Sequence, residues 1–193
     1  MSAAPLARPE REREPSLYAG LLGASWEGLP PLVRRLHQEG RAAGRFTIRR
    51  GRGVLCAVIA WVGRFPAAGE GVPTRLVVRR EGTGQSWERS FGANVLATTQ
   101  RAWDETRLAE RLGPVECVFR LRAEARGIIY EQTGAWLCLG PWRVPLPRWL
   151  SPRIEAEALE APTGMHVHVR IGSALLGAML SYEGLVSPEE ESP

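Results

Sequence analysis

The segment from Val115 to Leu139 limits the fold more than any other part of the chain. Val115, Cys117, Phe119, Leu121 and Ala123 alternate with Glu116, Arg120, Arg122 and Glu124, interrupted only by the apolar Val118. A period of two sorts side chains onto opposite faces of a strand, here one apolar and one charged. Arg126-Gly127 marks a tight turn, and Ile128 to Thr133 runs back as a second strand. Gly134 breaks the return and predicts a bulge or bend before Ala135, Trp136, Leu137 and Leu139. A ribbon of this length with one apolar face needs partners to cover it.

The rest of the chain supplies them. Leu76 to Arg80 and Trp87 to Phe91 flank the turn residues Glu81 to Gly84. Val95 to Trp103 and Thr106 to Leu112 flank Asp104-Glu105, and Ile154 to Leu159 pairs with Met165 to Ile171 around Pro162-Thr163-Gly164. Phe46 and Ile48 give Arg45 to Arg50 a strand pattern, and Leu175 to Val186 forms the last strand. Between them, Gly140 to Trp149 holds three prolines and two tryptophans. It reads as a packed corner without ladder pairing, with one turn of helix at Arg148 to Leu150. About nine or ten short strands predict a mainly β (α+β) domain: a curled antiparallel meander sheet or barrel, with a few short helices near the N-terminus. Ser16 can cap a helix carrying Leu17, Tyr18, Leu21 and Leu22, and Pro30-Pro31 opens another that ends near Gly40. The expected division is a disordered leader over 1–15, one β-rich domain over 16–187 and a disordered acidic tail over 188–193.

Residue usage excludes some functions. All 25 basic residues are arginine, and Asp104 is the only aspartate. Without lysine there is no Schiff base and no P-loop. Such one-sided usage is as easily a coding bias as a demand for guanidinium groups, so the formal charge of +4 does not imply a nucleic-acid partner. Cys56, Cys117 and Cys138 are odd in number and set in apolar runs, which fits buried free thiols in a reducing compartment. Cys117 and Cys138 have the spacing to face each other across the ribbon. Met1 to Pro15 is polar and unlike a secretory signal, and Val54 to Val62 is too short to span a bilayer. The expected location is cytoplasmic.

Strand, Gly51-Arg52-Gly53 and apolar helix follow one another here, but Cys56 stands where a dinucleotide-binding turn needs its third glycine. Several stations along the chain resemble an uncharacterised bacterial domain family, DUF4166. They are Ser16-Leu17-Tyr18, Leu29-Pro30 with Val33 to His37, Arg50-Gly51, Trp87 to Gly92, Gly113-Pro114, Leu146-Pro147 before Ser151-Pro152-Arg153, and Leu176-Gly177 leading to Tyr182-Glu183-Gly184. The resemblance implies a stand-alone domain or a partner of Rossmann-type reductases. It brings no established activity and no catalytic residue.

Candidate site residues are few. His166 and His168 share a strand face beside Arg170, a spacing that suits a metal in cupin-like barrels. Yet Ile171 and Gly172 stand where such a site wants glutamate, and only His37 remains as a third nitrogen ligand. The apolar Met165, Val167, Val169 and Ile171 should take the core side and send both imidazoles outward. His37 reads as a cationic cap on its helix. Glu155 and Glu157 share a solvated face, and no Ser/His/Asp or Cys/His set is credible. No metal and no cofactor are expected.

Two features point to partners. Trp136, Trp142 and Trp149 can line the mouth of a barrel. If the concave face is partly polar, Arg120, Arg122, His166, His168 and Arg170 would suit an anionic head group. Val54 to Val62 lies in a stretch with eleven arginines and only Glu39 and Glu70 between Arg34 and Arg80. It reads as a buried helix covering the sheet, with contact to an anionic membrane surface as the other reading. The leading expectation is a non-enzymatic binding or accessory domain for an apolar or amphipathic anionic small molecule. The alternatives are an enclosure-type cyclase or isomerase and a peripheral membrane domain.

Overall fold

The computed structural model describes residues 16–189. The Ser16 hydroxyl accepts from the Ala19 N–H at 3.3 Å and starts α1 (Leu17–Leu22). Next come α2 (Ala24–Glu27) and α3 (Pro31–Leu36), the latter opened by Pro31, whose missing N–H has no helical partner to lose. Then follow β1 (Gly40–Arg50), α4 (Val54–Val62), β2 (Gly69–Glu81), β3 (Gly84–Phe91), β4 (Asn94–Ala102) and β5 (Arg107–Leu112). The chain ends with β6 (Val115–Glu124), β7 (Gly127–Leu139), β8 (Trp142–Pro145), β9 (Pro152–Ala161), β10 (Gly164–Ser173) and β11 (Gly177–Pro188).

Every pairing is antiparallel. β1 to β7 pair in sequence order, β7 continues to β9, and β9, β10 and β11 lead back to β1. Ten strands therefore close a barrel, while β8 lies beside it on the second half of β7. Closure leaves the ten strands without an unpaired edge except where β7 and β9 part beyond Glu131. The expected curled antiparallel sheet is the fold observed. The proline corner differs from expectation: Trp142–Pro145 does form a ladder with β7, because Pro145 sits at its end, and the turn follows at Leu150 and Ser151, whose N–H groups both reach the Pro147 carbonyl.

A ten-stranded barrel is wider than strand side chains alone can fill. Here α1 to α3 take up the extra space, burying Tyr18, Trp26, Leu29, Val33 and Leu36 in the core where β1 begins. At the opposite end, where β1 finishes, α4 lies on the barrel. It is helical as expected but not buried: only Cys56 and Ala60 are fully buried, with Ile59 packed partly against the core, while Trp61 is 81% and Val54 83% exposed. Nine apolar residues have no polar side to turn outward, so a helix resting on one narrow edge must expose the rest.

The bulge predicted at Gly134 is present. Phe119 pairs with Gln132 and Val118 with Gly134, which leaves Thr133 as the extra residue. Gly134 leaves room for the Trp136 ring, from which an added Cβ would stand 2.7 Å. All three thiols are free and buried, but Cys117 pairs with Ala135 and Cys138 with Arg143, so they do not face each other. The C-terminal boundary also shifts. β11 runs to Pro188, and the Glu189 N–H donates to the Arg41 carbonyl at 2.9 Å. The leader over 1–15 and the tail over 190–193 lie outside the described residues.

Candidate functional site

Strand alternation carries polar side chains into the lumen. Gln85, Trp87, Arg89 and Phe91 face inward from β3, with Leu96, Thr98 and Gln100 beside them on β4. Arg89 bonds Thr98 Oγ1 at 2.9 Å and Glu110 Oε1 at 3.2 Å, and Thr98 donates to the same carboxylate oxygen at 2.7 Å. The Arg89 and Glu110 side chains keep 17% and 20% of their surface. Burial works against the guanidinium charge, but Glu110, followed by Tyr182, Tyr18 and Tyr130, more than offsets it and raises the pKa.

Beside this pair runs a chain of ring and hydroxyl groups. His37 Nδ1 donates to the Val33 carbonyl at 2.7 Å, leaving Nε2 to accept from the Tyr130 hydroxyl at 3.0 Å. Tyr130 and Tyr18 hydroxyls stand 3.0 Å apart, and Tyr18 donates to Gln100 Oε1 at 2.9 Å. With a neutral ring, two hydroxyl protons serve three contacts, so a protonated His37 would complete the chain. Burial nevertheless wins. It brings the His37 pKa down to about 4, opposed by the Val33 bond and reinforced by Arg89. His37 thus bonds the last turn of its helix as expected, but as a neutral ring rather than a cation.

Burial also raises the pKa of Tyr18, Tyr130 and Tyr182. A general acid or base works best with a pKa near the operating pH. This set is displaced on both sides of neutrality, and its hydrogen bonds join α1 and α3 to the wall.

The open space lies elsewhere. A cleft of about 690 Å³ sits where β7 and β9 separate. Their ladder covers Gly127 to Glu131 against Leu159 to Glu155; beyond it the Thr133 bulge turns β7 towards β8. Gln132 bridges the split, accepting from the Ile154 N–H at 2.7 Å and donating to the Pro152 carbonyl at 2.9 Å. Inward-facing Tyr130, Ile154 and Ala156 and outward-facing Ile129, Glu131 and Glu157 all line it, so the cleft is set into the wall. Glu131 lies 3.5 Å from Arg122, and Glu157 3.6 Å from His168. Arg148 and Arg153 also line the cleft, and neither makes an ion pair among the described residues.

The residues singled out from sequence fall outside the lumen. Arg120 and Arg122 are exposed on the outer face of β6, Arg122 paired with Glu124 and Glu131. His166, His168 and Arg170 point outward from β10, and of these only His168 borders the cleft. Among the described residues no group of three or more His, Cys, Asp or Glu is placed to hold a metal. Trp142 is 73% exposed on β8. Trp136 stacks on Trp103 with centroids 4.6 Å apart, beside Glu116, which Arg101 and Arg143 approach at 2.9 and 3.5 Å. That group pins β8 to the wall.

Sequence reasoning missed Arg89, Glu110, Tyr18, Tyr130, Arg148 and Arg153. A signal for the first was present: Gln85 and Arg89 keep phase with Trp87 and Phe91, and Gln100 with Leu96, so polar groups ride on the apolar face.

No curated protein and no solved structure matches the chain. Among the described residues no helix is long and apolar enough to cross a membrane. Residues 29–186 match the model of a domain of unknown function, DUF4166, so the chain belongs to that family.

Proposed function

We infer that this barrel is a non-enzymatic binding domain whose ligand, a small amphipathic anion, sits in the cleft between β7 and β9. The observation that carries the reading is the cleft itself: Ile129, Ile154 and Ala156 offer apolar surface, and the unpaired guanidinium groups of Arg148 and Arg153 lie within reach. A carboxylate held by arginine over an apolar bed gains charge-assisted hydrogen bonds and buried area together. The lumen is filled by the side chains of α1 to α3, which leaves the cleft as the seat.

The test is calorimetric titration with decanoate below its micelle concentration. Arg153→Gln and Ile129→Glu alter the cleft from the outside without placing a charge in the core. Each should weaken binding about tenfold, the loss of one charge-assisted contact or of one apolar face, while His166→Gln, away from the cleft, should not. No saturable heat, or equal affinity in all four proteins, overturns the reading.

A further inference from the structure

We propose that the α4 end of the barrel docks on an anionic lipid surface. The helix presents Val54, Leu55, Val58, Trp61 and Val62, between 49% and 83% exposed. It is not alone. Strand polarity places the starts of β2, β4, β6, β9 and β11 and the ends of β1, β3, β5, β7 and β10 around that same rim. Val95 at the start of β4, Trp149 and Leu150 before β9, and Leu175 between β10 and β11 are all exposed there. Of the thirteen exposed large apolar side chains among the described residues, only Leu185 lies away from this end.

Charge follows the same division. The connections at the α4 end, 51–68, 92–93, 113–114, 140–141, 146–151 and 174–176, contain Arg52, Arg64 and Arg148 and no acidic residue. Those at the opposite end carry Glu39, Asp104 and Glu105 against Arg126. A rim of exposed aliphatic and tryptophan side chains with Arg52, Arg64 and Arg148 in its connections fits the boundary between headgroups and acyl chains. A protein partner would need a complementary shape; a bilayer needs only the ring of apolar tips and the positive field behind it. The outer wall, with Arg45, Arg49, Arg75, Arg79 and Glu155 facing out, keeps the contact to this end.

The test is co-sedimentation with phosphatidylcholine vesicles, with and without phosphatidylserine, at low and high salt. The wild-type chain should pellet with the anionic vesicles, less so at high salt. Trp61→Ser should lower the partition about tenfold, and Arg52→Gln about fivefold, on anionic vesicles only. Both side chains are exposed, so thermal melts should match wild type. Failure to pellet at low salt, or equal binding to both vesicle types, overturns the proposal. So does a dimer in free solution that Trp61→Ser dissolves, because a second copy would then be the occupant.

Discussion

Acid should loosen this barrel through His37. The ring is 1% exposed, and its pKa falls from 6.5 to about 4 by burial, with the Val33 bond opposing and Arg89 adding to the effect. Between those values the unfolded chain binds a proton that the folded chain refuses. The group's contribution is therefore complete above 6.5 and is withdrawn as the pH falls towards about 4. A separation of about 2.5 units, at about 1.4 kcal/mol per unit, amounts to roughly 3 kcal/mol. His37→Gln can still donate to the Val33 carbonyl and does not titrate. Urea unfolding of both proteins at about pH 7 and about pH 4.5 isolates the ring, because the carboxylates contribute equally to each. The wild type should lose about 2 kcal/mol more than the variant over that interval, or roughly 4 to 8 °C in Tm for a domain of this size. Equal losses in the two proteins would refute the neutral buried ring.

Other perturbations probe the rest of the core. Glu110→Gln strips the mostly buried Arg89 of its counter-charge and should cost roughly 3 kcal/mol in urea unfolding; a change within error would show that solvent neutralises the guanidinium. Gly134→Ala should push Trp136 off Trp103, with a loss of about 1–3 kcal/mol and a weakened near-ultraviolet dichroism signal; an unchanged spectrum would count against that contact. Burial, aided by Glu110 and Glu116, pushes the Cys117 thiol up to about 12. None of the three buried cysteines should react with a disulfide reagent until denaturant is added, and fast labelling of the native protein would contradict this.

The wall was largely readable from the chain because period-two alternation follows from backbone geometry: β6, the Thr133–Gly134 bulge and the hairpins fell close to their expected places. What the alternation could not say is which polar residues travel on the inner face. Arg89 and Gln100 look solvated until β3 and β4 are set in register and Tyr18 arrives from 112 residues before its partner Tyr130. The same limit hid the cleft, which depends on where β7 leaves β9 and on one glutamine amide closing the split. Val54–Val62 shows the converse error. Its composition matches a core helix, yet the lumen was already occupied by α1 to α3, so the greasy segment had no interior left to enter.

Closure of the ring has a consequence for how the molecule is made. β1 pairs with β2, its neighbour in the chain, and also with β11, from Ala42 opposite Pro188 to Arg50 opposite Leu180. The meander from β1 to β10 can zip up locally, but the last seam must wait for the far end of the chain and bears the greatest loop-closure entropy. It also tolerates no side chain at two crossings: a Cβ on Gly44 would stand 1.8 Å from the Leu185 carbonyl oxygen, and one on Gly184 2.2 Å from that of Arg45. Until that seam forms, two bare ladders face the solvent on an incomplete cylinder. Self-association during refolding should therefore be governed by the arrival of β11, and a chain cut before Gly177 should clump where the whole one does not.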